Sequence, residues 1–246
     1  MTIKGVVLSQ KPWGEHDKFI DVLTETGIME ILVKGSAKIT SKSGSATQLF
    51  AYAEFDISDK KTKKNFYILR TVVPIQIFYD LRNSVSAVAL ASYFAQVILY
   101  SALPHTNTPE ILRLLLNCLY YLSKPQENLD ELLLKCIFEL RIASLLGFLP
   151  DVLMCRNCNC YLPENLYFSI EQGCFYCESC KKSGIFMPAG ALQAIRHIVL
   201  RDFEKIFYFK ISEHCKQPLF KFAEEFLQYH IDRYFQALEY YNKIKY

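Results

Sequence analysis

Along the first eighty residues, apolar and polar positions alternate with a period of two, the mark of strands that bury one face. Ile3, Val6 and Leu8 open one such segment. Phe19, Val22 and Leu23 mark a second and Ile31, Leu32 and Val33 a third, with Glu25-Thr-Gly27 as a tight turn between them. Two further runs, residues 50–57 and 66–73, flank the polar turn Ser58-Asp-Lys-Lys-Thr-Lys-Lys64. Five or six short strands without a strong helix between them predict a small barrel. Its long polar connection, residues 35–48, is the kind of loop that small scaffolds keep for function.

From Leu81 the period becomes helical, which places a boundary near Asp80. Thr108-Pro109-Glu110 reads as a helix start, with Thr capping free amides and Pro in a first position where its missing N–H costs nothing. Leu129, Leu132, Leu133, Cys136, Ile137 and Leu140 lay one apolar stripe along a helix that Gly147 and Pro150 end. A last helical run, residues 218–243, offers Phe222, Phe226, Tyr229 and Tyr234 as core residues. The expected division is a barrel over 1–80, a first helical part over 81–152, a cysteine-rich module over 153–182 and a second helical part over 183–246. The apolar stretch 85–103 is interrupted by Ser86, Ser92 and Gln96, so no membrane span is expected. The opening residues form no apolar signal core, which predicts a cytoplasmic protein.

Composition narrows the class. With 51% apolar and 22% charged residues the chain is globular rather than disordered. The net charge of +3 is too small to signal nucleic-acid binding unless it is concentrated on one surface. It is uneven: between residues 30 and 70, eight basic residues face four acidic ones. Lys34, Lys38 and Lys42 occupy the long loop and its approach, while Lys60, Lys61, Lys63, Lys64 and Arg70 surround the later turn. Such lysines act as point charges that neutralise phosphates without reading bases, and an exposed Phe66 or Tyr67 beside them would stack a base. The plainer alternative is a solvated hairpin tip. Trp13 and Tyr67 are expected in the core or partly buried.

Six of the nine cysteines lie between residues 155 and 180, with two Cys-x-x-Cys pairs, Cys155/Cys158 and Cys177/Cys180, separated by eighteen residues. This is zinc-ribbon spacing, in which each pair forms a knuckle aiming two sulfurs at one point. Four thiolates complete a tetrahedron and leave no position for water, so one structural Zn2+ is expected. Cys160 and Cys174 offer alternative ligands.

Catalytic signatures are absent from the sequence: no phosphate-binding loop, no His-Glu-x-x-His and no Gly-x-Ser-x-Gly. Glu15, Asp17 and Asp21 are the dense acidic group that a metal-dependent nuclease would require, although solvent exposure explains them more simply. A zinc-ribbon nuclease and a zinc-ribbon transcription or interaction factor stand as alternatives to a non-enzymatic DNA-binding protein.

The stretch Phe138-Glu-Leu-Arg-Ile-Ala-Ser-Leu-Leu-Gly147-Phe-Leu-Pro150, followed by Cys155-x-x-Cys158, resembles the matching stretch of the RecO family of bacterial recombination mediators. Val6-Val-Leu8, Gly14-Glu15, Thr24-Glu-Thr-Gly27 and Lys34-Gly35 resemble that family's opening strands, Phe78-Tyr-Asp-Leu-Arg82 its exit from the barrel, and Phe168-Ser-Ile-Glu-Gln-Gly173 its zinc hairpin. The resemblance covers residues 1–190. Cys174 stands where the family commonly has a second glycine, Gln96-Val97 replaces an acidic position, and Cys160 is extra. The resemblance implies an α+β protein, with an N-terminal OB-fold β-barrel followed by an α-helical domain that contains a four-cysteine zinc-binding module. It also implies binding of single- and double-stranded DNA, strand annealing, and action with RecR to load RecA on DNA coated by single-stranded DNA-binding protein. That implies a cytoplasmic protein associated with the nucleoid during repair. The C-terminal tail of the coating protein would need an apolar groove beside a cation, for which Arg141, Leu145 and Phe148 are the candidates.

Overall fold

The structure, a computed structural model, describes residues 1–35, 42–62, 65–101, 108–127 and 129–245. The chain packs as two compact units, Met1–Lys124 with Phe235–Tyr246, and Pro125–Tyr234.

In the first unit five strands close into a barrel: β1 (Thr2–Trp13), β2 (Asp17–Thr24), β3 (Gly27–Val33), β4 (Tyr52–Ile57) and β5 (Tyr67–Gln76). The order around the barrel is β1-β2-β3-β5-β4, with β4 pairing back onto β1. All neighbours are antiparallel except β3 and β5, which run parallel at Ile31/Tyr67 and Leu32/Ile68. This is the predicted small barrel, of OB type. Its interior is filled by the inward positions of every strand, Val7, Ile20, Val22, Ile31, Val33, Phe55, Ile57 and Val72 among them, with Ala46 supplied by the short helix α1 (Lys42–Ala46).

Strand β1 departs from simple alternation. Its register with β2 skips Leu8, and Gly5 to Leu8 are all buried. Val7 points into the barrel, while helices α2 (Val85–Ser101) and α3 (Thr108–Ser123) pack against β1 from outside. Burial on both faces accounts for the unbroken run Val6-Val-Leu8. The compact unit therefore runs past residue 80, through α2 and α3 to Lys124. It is completed by α7 (Gln236–Lys245), which packs on α2. Phe235 meets Tyr93 edge-on at 5.7 Å, and the Gln96 side-chain oxygen accepts the Ala237 N–H at 3.2 Å. Gln96 thus satisfies one of the free amides in the first turn of α7, a role that any side-chain oxygen at this position can fill.

The second unit holds α4 (Glu131–Leu145), a sheet of order β7-β6-β8, α5 (Ala189–Leu200) and α6 (Glu213–Ile231). Its strands are β6 (Asn165–Ser169), β7 (Cys174–Cys177) and β8 (Ile185–Pro188). Asp130 caps α4 by accepting the Leu133 N–H at 2.8 Å. Gly147, at φ +96, ends it in a left-handed turn in which Phe148 N–H reaches back to Ala143 O and Gly147 N–H to Ser144 O. The expected single apolar stripe on α4 proves to be burial on all sides from Leu133 to Leu140. Lys135 and Glu139, which lie off that stripe, are also buried, with the Lys135 ammonium 2.8 Å from Glu139 and 2.6 Å from Glu224.

The last helical run is two helices, broken where Asp232 adopts φ +49. Phe222 and Phe226 are buried against Phe168 of β6, as expected. Tyr229 and Tyr234 are not core residues, being 52% and 69% exposed, because the break re-aims the chain there and Tyr229 lies on the outer face of α6. Among the described residues no helix is long and apolar enough to cross a membrane.

Candidate metal centre and nucleic-acid surface

The hairpin β6–β7 sets the metal centre. Cys155 to Cys160 form one knuckle, closed by Asn159 N–H to Cys155 O and Cys155 N–H to Cys160 O, with Asn159 in the left-handed region at φ +59. Cys177 ends β7 and starts the second, closed by Cys180 N–H to Cys177 O at 2.9 Å. Arg156 N–H donates to Phe175 O, and Cys177 N–H to the Cys155 sulfur at 3.3 Å, so the two knuckles are bound to one another.

The four sulfurs of Cys155, Cys158, Cys177 and Cys180 lie within 4.8 Å of one another, with Cys158 and Cys177 at 3.5 Å. A tetrahedron with metal–sulfur bonds near 2.3 Å places its sulfurs about 3.8 Å apart, so the set fits a four-coordinate ion. Electrostatics agree. Burial opposes ionisation of Cys155, yet N–H groups of Cys158, Cys177 and Asn157 bring its thiol down to about 6. Hydrogen bonds that the Cys180 thiol donates to Cys177 and Cys158, together with burial, push it up to about 12. One thiolate forms readily and the last resists, as expected of crowded sulfurs that need a cation to ionise together.

Strand parity explains why Cys174 is not in the set. Cys174 and Tyr176 share one face of β7 and Phe175 and Cys177 the other. Cys174 is buried against Tyr176, whose hydroxyl it holds above its ordinary range. Cys160 contributes its carbonyl to the first knuckle, and its thiol is not among the four converging sulfurs. Among the described residues these four are the only group of three or more His, Cys, Asp or Glu side chains close enough to hold a metal ion. Asp17 instead accepts the Gly35 N–H, and Asp21 accepts from Ser9 and Lys11.

A residue missed by the sequence reading ties this centre to α5. Arg196, only 8% exposed, donates to the carbonyls of Val152 at 2.6 Å, Leu153 at 2.7 Å and Tyr161 at 2.6 Å, bracketing the first knuckle. The Tyr161 ring lies over its guanidinium at 4.1 Å. An arginine inside an otherwise apolar helical stripe is the signal that marks such a clamp.

On the barrel, Lys34 is exposed at the end of β3, and Lys61 stands 5.7 Å over the Tyr67 ring. Arg70 is paired with Asp59 at 2.8 Å and Asp56 at 3.8 Å, and the Met1 amine shares both carboxylates. That amine and Arg70 hold Asp59 down at about 2. Lys38, Lys63 and Lys64 lie outside the described residues, as does the side chain of Lys42, whose backbone opens α1. Trp13 is not a core residue: it is 55% exposed, because β1 carries it to the tip of the β1–β2 turn. Its ring meets Phe19 at 5.2 Å, and Phe19 meets Phe66 at 5.0 Å, both edge-on. An aromatic row thus joins the β1–β2 turn to the β4–β5 loop, while Lys18, on the opposite face of β2 from Phe19, donates to Thr47 O at 3.0 Å. The Pro12-Trp13-Gly14 sequence, an aromatic at a turn, is its signal.

Arg141 donates to the carbonyls of Ile198 at 3.4 Å and Val199 at 2.9 Å at the end of α5. Leu145 is half-buried one turn on, and Phe148 stacks on His230 at 4.6 Å. Burial lowers the His230 imidazole below its ordinary value. Protonation therefore opposes folding, and stability is lost as pH falls below the unfolded value near 6.5. Urea unfolding between pH 8 and pH 5 is expected to show a declining midpoint, with a shallower decline in His230→Gln.

A closed five-stranded barrel of OB order, joined to helices and to four cysteines that could hold a metal ion, defines a class of multi-unit proteins built on an oligonucleotide-binding type of scaffold. Comparison narrows the class. A family model described as Recombination protein O N terminal matches residues 1–78, and one described as Recombination protein O C terminal matches residues 82–239. Among relatives named DNA repair protein RecO, that of Acetivibrio thermocellus is 27% identical over 240 residues, spanning 96% of this chain and 94% of its own. That of Alkaliphilus metalliredigens is 25% identical over 246 residues, 98% of each chain. The chain belongs to the RecO family of DNA repair proteins.

Proposed function

We propose that this protein is a recombination mediator rather than an enzyme. It binds single- and double-stranded DNA in the bacterial cytoplasm, promotes strand annealing, and with RecR helps load RecA onto DNA coated by single-stranded DNA-binding protein. The observation that carries the DNA-binding part is the Trp13–Phe19–Phe66 row, with Trp13 exposed, on the same barrel that carries the exposed Lys34 and Lys61. Aromatic faces next to point charges suit single strands, since every base stacks and every nucleotide carries a phosphate. Arg70, engaged by Asp59, is the weakest phosphate contact of the predicted set, and Lys34 the strongest described one. Lys38, Lys42, Lys63 and Lys64 extend the same loops in sequence. Arg141, Leu145 and Phe148 remain the proposed contact for the coating protein's tail, with Phe148 as its apolar element.

The ion at Cys155, Cys158, Cys177 and Cys180 is proposed to be zinc, bound structurally, because an all-thiolate tetrahedron favours it and offers no open position. The test is fluorescence anisotropy of a labelled oligothymidine. Trp13→Ala with Lys34→Glu is expected to weaken binding more than tenfold and to flatten its salt dependence, while leaving the melting temperature near that of the parent. Unchanged affinity at low salt would exclude this surface. An annealing assay with complementary strands separates the mediator from a transcription or interaction factor, and Mg2+-dependent cleavage would reveal a nuclease.

A further inference from the structure

A groove of about 520 Å3 runs between the Tyr161–Leu162 segment and α5, lined also by Gln193, His197, Leu200 and Arg201. It meets a second hollow of about 240 Å3 at Gln193 and His197, where Lys210 joins the lining. Neither lining contains an acidic residue. From Gly190 to Arg201 the combined groove follows α5 for about 16 Å.

Its floor is unusual in charge. Arg196 spends its hydrogen bonds on three neutral carbonyls, and no carboxylate pairs with it among the described residues. A guanidinium below the surface therefore adds positive potential that Arg201 and Lys210, both exposed, extend along the rim. Over that floor Tyr161 lies with one ring face on Arg196 and 63% of its surface exposed. Its backbone carbonyl is held by the same arginine, so the ring is a fixed platform that loses little freedom on binding.

We infer that this groove seats a single nucleic-acid strand, with Tyr161 stacking a base and Arg201 and Lys210 meeting phosphates. The inference rests on the DNA-binding reading above and adds a strand site on the second unit, separate in sequence from the barrel. Two strand sites on one chain would let it hold both partners of an annealing reaction. A flat ring backed by a cation suits bases better than it suits an acidic peptide, which would use the charges and leave the ring idle.

The experiment uses the full chain with zinc retained. Binding of labelled oligothymidine is measured on the Trp13→Ala/Lys34→Glu background, which lowers the barrel's share of the affinity. Tyr161→Ile, which keeps apolar cover over Arg196, is expected to lower the remaining affinity about tenfold, and Tyr161→Phe to leave it intact. Arg201→Ala with Lys210→Ala is expected to reduce the salt slope by about 1.4, at about 0.7 per cation on a single strand. Photocrosslinking of a bromodeoxyuridine oligonucleotide to the parent chain is expected to label the Tyr161 peptide as well as the barrel. Labelling of the barrel alone, or groove variants with unchanged slope and affinity, would overturn the groove and leave the barrel reading standing. Failure of the parent chain to bind any oligonucleotide would overturn both. A labelled oligo-aspartate whose binding depends on Arg201 and Lys210, while oligothymidine binding does not, would reassign the groove to an acidic peptide.

Discussion

Cys155→Ser is expected to abolish binding of the proposed zinc ion and to unfold the segment from Val152 to Pro188 while the barrel stays folded. Cys155 is the best placed of the four ligands: fully buried, and the acceptor of the Cys177 N–H. Structural zinc in isolated finger peptides contributes about 10–16 kcal/mol of apparent binding energy, comparable with the total stability of an ordinary domain at about 5–15 kcal/mol. A three-stranded sheet of four- and five-residue strands cannot replace that from its own contacts. Metal content by mass spectrometry should fall from one ion per chain to none, and hydrogen exchange should accelerate across the segment. Cys160→Ser should retain the ion. Cys174→Ser should retain it too with a modest loss of stability, because that thiol packs on the opposite face of β7 from Cys177. Loss of the ion in Cys174→Ser would mean that the hairpin pairs in a different register.

Lys135→Met is expected to destabilise the second unit by about 3–5 kcal/mol, the usual result of removing one member of a buried ion pair. Glu139 is fully buried, and a carboxylate without its cation there must protonate or draw in water. Burial pulls Lys135 toward neutrality, but Glu139 and Glu224 outweigh it and hold the ammonium above its ordinary range. The stabilisation is complete below the unfolded lysine value near 10.4 and is lost only as pH rises through the higher folded one, so it is constant at neutral pH. The double variant Lys135→Met/Glu139→Leu should recover much of the loss, since both charges are removed together. Equal loss in single and double variants, measured by urea unfolding at pH 7.5, would show that packing rather than charge is responsible.

The barrel was legible because half-buried strands leave a period of two, and its closure because strands this short leave few other ways to hide an edge. The four converging cysteines were legible because knuckle spacing is a local constraint. Choosing between Cys174 and Cys177 needed the strand's phase. Lys135 and Arg196 were harder to place for a different reason. A charged residue is read as exposed unless its burial is known: an i,i+4 pair such as Lys135–Glu139 reads as a surface pair, and the further partners stand 89 residues away at Glu224 and 35 to 44 residues away around the knuckle. Trp13 failed the other way: its apolar character suggested burial, while the turn that carries it outward depends on how far β1 extends. The boundary near residue 80 marks a change of period, and α2 and α3 beyond it pack on the strands before it.

The second unit interrupts the first, whose closing helix is residues 236–245. Tyr241 of that helix is fully buried, so the barrel's unit lacks part of its interior until the last residues arrive. During synthesis the first strands must therefore wait, with the face of α2 that receives α7 uncovered, for more than a hundred intervening residues to emerge. Deletion of the final ten residues would be felt at the opposite end of the chain, as aggregation of nascent N-terminal segments rather than as loss of the metal knuckle.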